Sequence, residues 1–173
     1  SGDVAQLREW IQDCATTLIE QGDFSTLVVL EKRWQMQASD SPLPLKVTRA
    51  WAMGLALEHG PAMRLTCELE AEIEQQTPSE ESSAIYWEVQ AIKAMLWALD
   101  DRYALAAPLA RECVESGYCT QWAANVLLNV ICGAHMRACE WDQLYALPPT
   151  QRRSQGNRGY FLHECYRQSL YGL

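Results

Sequence analysis

Positive charge is scarce in this chain. Its 14 Lys and Arg residues face 22 Asp and Glu, giving a formal net charge of −8 over 173 residues. Proteins that grip nucleic acid display a basic stripe or face, so direct contact with DNA or RNA is not expected. An acidic surface favours solubility and basic partners. Long apolar runs are missing as well, and none approaches the roughly 20 residues of a membrane-crossing helix. The opening "SGDVAQLREW" lacks the basic and apolar regions of a secretory signal. Strand signals are nearly absent, with no sustained alternation and no Asn-Gly hairpin turn. There is no GxxxxGK[ST] loop to cradle phosphates and no CxxC metal motif. The expectation is a cytoplasmic protein with no membrane contact and no cofactor. The abrupt Ser1-Gly2 start is expected to mark a piece of a longer chain.

Cysteine is present but unpatterned. Seven residues, at 14, 67, 113, 119, 132, 139 and 165, make an odd and scattered set. With 49% of the chain hydrophobic, a core is available without disulfides. Reduced, mostly buried thiols are expected.

What the chain has in abundance is apolar residues at helical spacing. Val4, Leu7, Ile11, Cys14, Ala15 and Leu18 form one stripe, ended by Gly22. Residues 23–37 give a second helix. Ser41-Pro42 opens a third, which runs to about His59 and is broken by Gly60-Pro61. A fourth spans 61–76. "TPSE" reads as a capping box with Thr77 as cap and Glu80 reaching back, opening a fifth helix to about Leu99. A sixth covers 102–116, with Pro108 predicting a kink or a late start. The seventh spans 120–138, and "EWDQLYAL" is a short eighth. A polar loop, "TQRRSQGNRG", precedes a final helix.

These helices pair. Phe24, Ala62, Tyr103 and Trp141 mark the second helix of successive pairs at separations of 38, 41 and 38 residues. Hairpins are expected at about 3–38, 42–76, 78–117 and 119–147, with a trailing helix at 160–171, all within a single domain over 3–173. A hairpin of this size cannot bury its apolar faces unaided, whereas a stack can. The predicted fold is all-α: a right-handed superhelix of antiparallel helical hairpins, a TPR-like α-α solenoid. A non-repetitive helical bundle with similar loops is the alternative.

"REWIQDCATTLIEQGDFSTLVVLEKRW" and "PLPLKVTRAWAMGLALEHGPAMRLTCELE" resemble the helical-repeat region of large ATP-dependent LuxR-family transcription regulators of the maltose-regulator (MalT-like) type. The likeness rests on "LIEQGDFSTL" (18–27), on "RAWA" (49–52) and on the Gly60 break before a Leu/Glu-rich helix. It covers residues 6–147 as a pattern of hairpins. The resemblance implies a nucleotide-binding switch module on one side and a DNA-binding helix-turn-helix on the other. It also implies that the repeats sense an inducer, contact partner proteins or self-associate.

Chemistry-bearing clusters are few. Cys132, His135 and Cys139 share a helix face and suit zinc, but no fourth ligand is evident, and a small-residue packing face is the plainer reading. Glu68, Glu70, Glu72 and Glu74 alternate at i+2, which splays them around a helix as a solvated acidic surface. Arg152, Arg153 and Arg158 offer phosphate contacts or simply an exposed loop. No nucleophile-base arrangement stands out, so the chain is expected not to be an enzyme. The tryptophans at 10, 34, 51, 87, 97, 122 and 141 are expected mostly in the core, with some lining a groove. First helices of hairpins line the concave side of such stacks. In the register above Lys46, Trp87 and Asn125 are equivalent, as are Arg49 and Gln90. These five are the candidate binding residues for a protein or small-molecule effector. The leading functional expectation is a non-catalytic sensor domain of a LuxR-type regulator. The alternative is a peptide-binding adaptor with no role in transcription.

Overall fold

The computed structural model describes Cys14, Thr17, Leu18, Asp23, Thr26, Val29 and residues 43–147 except Pro78. The remainder of the expected first hairpin, the 150–159 loop and the trailing helix lie outside the described residues, as do Trp10, Trp34, Arg152, Arg153, Arg158 and Cys165. Among the described residues every regular element is helical and none is a strand. The elements are α1 (Leu43–Leu55), α2 (His59–Glu74), α3 (Glu80–Leu99), α4 (Tyr103–Glu115), α5 (Gln121–Arg137) and α6 (Trp141–Ala146). None is long and apolar enough to cross a membrane.

Burial divides the helices into two kinds. α2 buries one stripe, Ala62, Thr66, Leu69 and Ile73, and α4 does the same with Ala106, Ala107, Ala110 and Cys113. Each is amphipathic in the ordinary way. α3 and α5 are buried nearly all round. α3 hides Val89–Ile92 and Ala94–Leu96, and α5 hides Trp122, Ala123, Asn125–Leu128, Val130–Gly133 and His135. The contacts explain the difference. Each helix packs on its neighbours in sequence, and α3 additionally packs on both α1 and α5. Alanines at 50, 52, 91, 94, 106, 110 and 123 are all buried in this core, where small side chains let the helices approach closely.

The turn from first helix to second is the same structure three times. Leu57, Asp101 and Cys139 take left-handed φ values of 62°, 63° and 56°. The next residue in each case, Glu58, Arg102 or Glu140, donates its N–H to a carbonyl five residues back: Met53 at 2.9 Å, Trp97 at 2.8 Å and His135 at 2.9 Å. The left-handed residue itself donates three residues back, to Gly54, Ala98 and Met136. This is the Schellman pattern of helix termination, and the following helix begins one residue later. Asp23 donates to Leu18 O at 2.9 Å in the same way, and its carboxylate accepts from Thr26 N and Oγ1.

The structure corrects two sequence expectations, the break after α1 and the cap of α3. The break after α1 lies at Ala56–Glu58, not at Gly60-Pro61, which sits in the first turn of α2. Burial of Ala62, Thr66, Leu69 and Ile73 requires the helix already to be running there, and that outweighs the left-handed preference of glycine. The second helices then begin at His59, Tyr103 and Trp141, separated by 44 and 38 residues (103−59 and 141−103). In that register Lys46 matches Gln90 and Arg49 matches Lys93, while Trp87 still matches Asn125. The cap of α3 is Ser79 rather than Thr77. Ser82 N donates to Ser79 Oγ at 3.0 Å, and Ser79 N donates to Ser82 Oγ at 2.8 Å, so a serine does the work expected of Glu80. Pro108 neither delays nor ends α4, which runs unbroken from Tyr103 to Glu115 with the proline on its exposed side.

Two substitutions test this packing. A left-handed conformation costs a non-glycine residue about 1–2 kcal/mol, and Leu57 is 72% exposed, with little packing to lose. Leu57→Gly should stabilise the fold by about 0.5–1 kcal/mol once the added unfolded-state freedom is subtracted, read as a higher urea midpoint at unchanged slope. A Cβ on Gly133 would sit 2.8 Å from Tyr103 Cε1 and 2.9 Å from its hydroxyl, closer than side chains tolerate without a shift. Gly133→Ala should cost about 1–3 kcal/mol despite its better helix propensity. Equal stability would show that α4 and α5 are not so closely apposed.

Candidate functional site

The first helices of three hairpins, α1, α3 and α5, converge on a cleft of about 210 Å³. Its walls are Gly54 and Leu55 from α1, Met95, Ala98 and Leu99 from α3, and Val126, Asn129 and Val130 from α5, with Leu57 and Tyr103 from the turn side. In the turn register Gly54 and Ala98 are equivalent, so the space arises where successive first helices both carry a small residue. The Asn129 amide and the Tyr103 hydroxyl are the polar groups in an otherwise apolar lining. Leu57 and Leu99, exposed by 72% and 51%, form an apolar rim. A cavity of about 150 Å³ accepts a benzene-sized group. This one therefore suits a single bulky apolar side chain or a similarly small apolar ligand.

Elsewhere on the same helices lies a polar cluster. Trp51 and Trp122 meet edge to face with centroids 4.6 Å apart, joining α1 to α5. The Trp51 indole N–H donates to Glu88 Oε1 at 2.8 Å. Burial pushes the Glu88 carboxyl above its ordinary value, and the indole hydrogen bond offsets only part of that. The Glu88 charge opposes ionisation of the Cys119 thiol. Cys119 in turn pairs with Cys113. Its S–H donates to Cys113 O at 3.2 Å, and interaction between the two thiols pulls Cys119 below the ordinary cysteine value and pushes Cys113 up.

None of the five residues singled out from sequence lines the cleft. Lys46 Nζ donates to Glu72 Oε2 at 2.8 Å across α1 and α2. Gln90 is buried and donates to Glu70 Oε1 at 2.7 Å, where Lys93 also donates at 2.7 Å. The i+2 spacing thus sends Glu72 towards α1 and Glu70 towards α3, so these two carboxylates brace neighbouring helices instead of forming a solvated surface. Asn125 is buried and accepts from Gln121 Nε2 at 3.4 Å. Trp87 is half-buried with its ring edge-on to Tyr86, and Arg49 is half-buried on α1. At the Cys132–His135–Cys139 face, Arg111 Nη2 donates to His135 Nε2 at 3.2 Å, which leaves Nδ1–H to donate to Glu140 Oε2 at 2.7 Å. Both ring nitrogens are engaged. Cys132 is buried, and Cys139 sits on an exposed turn. Among the described residues no group of three or more potential metal ligands converges.

Sequence reading missed Met95 and Asn129 in the cleft and Glu88, Cys113 and Cys119 in the cluster. The paired small residues Gly54 and Ala98 were the available signal for the cleft, but only in the 44-residue register. No protein-family model, curated protein or solved structure matches the chain.

The Glu88 carboxyl gives a pH test. Because its value is raised in the folded state, the native protein holds more protons than the unfolded chain between the ordinary value of 4.5 and the raised one. Stability from this group is therefore present at low pH and lost as pH rises through that window. Glu88→Gln keeps an acceptor for Trp51 and removes the charge. The variant should be more stable than the parent at neutral pH, with the gap closing as pH falls towards 4.5. A gap independent of pH would show that Glu88 is not held above its ordinary value.

Proposed function

We propose that the chain is a right-handed TPR-like α-α solenoid acting as a non-catalytic recognition domain. Support comes from the thrice-repeated hairpin turn and from packing in which first helices contact first helices while second helices stay outside. The single observation that carries the functional reading is the cleft lined by α1, α3 and α5, the first helices of successive hairpins. Repeat scaffolds use such inner surfaces for binding. On this reading a protein or small-molecule effector inserts one apolar group between Met95, Ala98 and Val126, with Asn129 and Tyr103 fixing its orientation.

The sequence resemblance places the domain in a cytoplasmic, bacterial LuxR-family regulator of the MalT-like type, relaying effector binding to a DNA-binding module elsewhere in the full-length protein. Occupancy of the cleft shifts the regulator between states only to the extent that the effector prefers one of them. The size of the cleft, fitted to one side chain, also favours a peptide ligand, and a peptide-binding adaptor without a transcriptional role is the second reading.

The cleft and the regulator are tested separately. Ala98→Trp fills the cleft from its half-buried α3 wall, and in the full-length protein it should preserve helicity while abolishing effector response in a transcription reporter. An unchanged response excludes the cleft. The open reading frame around the chain should encode a nucleotide-binding module and a helix-turn-helix, and a frame without both leaves only the adaptor.

A further inference from the structure

We infer that Cys113 and Cys119 form a reactive dithiol, an oxidative-modification site whose closure to a disulfide ties the end of α4 to the start of α5. Cys113 lies in the last turn of α4 and is fully buried. Cys119 stands just before Thr120, whose hydroxyl accepts from Ala123 N at 3.2 Å and caps α5. The Cys119 sulfur rests 3.2 Å from the carbonyl of Cys113. Closing the bond asks it to leave that carbonyl for the sulfur of the same residue. The segment between them turns through Gly117, at φ +76° with open space around it, and is held by Ser116 Oγ, which donates to Cys113 O at 2.7 Å.

The two sulfurs have different parts to play. Cys119 is the half-buried partner, within reach of solvent, so it is the sulfur that a peroxide meets first. Cys113 is buried behind it with its proton retained, in the place of a resolving thiol. The oxidant class is a hydroperoxide. The Cys119 thiolate attacks the terminal oxygen: an S–O bond forms, the O–O bond breaks, and the departing alkoxide takes a proton to leave as an alcohol, or as water from hydrogen peroxide. The Cys113 sulfur then attacks the sulfenic sulfur, forming the S–S bond. The hydroxyl leaves with the Cys113 proton as water. Two thiols lose two electrons and the peroxide gains them.

The site stands apart from the effector cleft, but it adjoins the inner scaffold. Trp122, three residues past Cys119, packs against Trp51. Oxidation therefore has an optical reporter in the paired indoles.

The test is limiting hydrogen peroxide on the fully reduced chain, followed by alkylation and peptide mapping without reductant. The first disulfide should be Cys113–Cys119, seen as a loss of two hydrogens in the peptide spanning both, with a parallel change in tryptophan emission reversed by dithiothreitol. It should form ahead of modification at Cys67 and Cys139, which are more exposed. Cys119→Ser should leave Cys113 a thiol, and Cys113→Ala should leave a sulfenic acid on Cys119 that dimedone traps. Oxidation of Cys67 and Cys139 first, or a Cys113–Cys119 bond that appears only in denaturant, overturns the proposal. The wild-type map decides the matter whether or not either variant folds.

Discussion

The structure depends on helices that have no free face. α3 and α5 carry buried residues around almost their whole circumference, and a two-helix hairpin can cover only one side of each. The rest of α3 is covered by α1 and α5 of the neighbouring hairpins, and part of α5 by α3. Small residues make this possible: alanines at 91 and 94, and Gly54, Gly133 and Ala123, bring helix axes close enough for the apolar surface to disappear from both partners. α2 and α4, with one buried stripe each, are left on the outside. The inner and outer roles therefore follow from side-chain volume and from the number of neighbours each helix needs.

Polar groups then set the details that apolar packing leaves loose. Glu70 and Glu72, two residues apart, face opposite sides of α2 and hold Lys93 with Gln90 on one side and Lys46 on the other. His59 Nε2–H donates to Leu96 O at 3.0 Å, fastening the start of α2 to α3. Arg137 pairs with Asp101, joining the last turn of α5 to the turn between α3 and α4. Each contact crosses from one hairpin to the next or from a helix to its partner, where a sliding motion would otherwise meet only smooth alanine surface. The cleft and the carboxyl-thiol cluster both draw on helices of three hairpins, so each is assembled only when those helices have packed together.

Much of the helical layout was legible from local sequence. The seventh helix, capped by Thr120, and the short eighth begin and end within a residue or so of expectation, because caps, apolar spacing and Pro148-Pro149 agree there. Disagreement arose where local signals competed. Gly60 is the better left-handed residue, yet Leu57 takes that conformation, since the buried stripe of α2 fixes where the helix must already be wound. That shift of three residues moved the register of the first helices. Lys46 and Gln90 became equivalent partners of α2 carboxylates, and the lining of the cleft passed to residues with no polar signature, Gly54, Met95 and Ala98. A cavity between helices is defined by what several distant positions lack, which no window of sequence displays.

The sequence by itself determined that this chain is helical and built from paired helices with small residues at their contacts, because helix periodicity, capping and side-chain size act over a few residues. Only the tertiary structure decided which residue ends each first helix, which carboxylates are braces, and that Trp51, Glu88, Cys113 and Cys119 belong to one cluster. Those outcomes depend on groups up to 68 positions apart (119−51), and the burial that drives them exists only once neighbouring hairpins have packed.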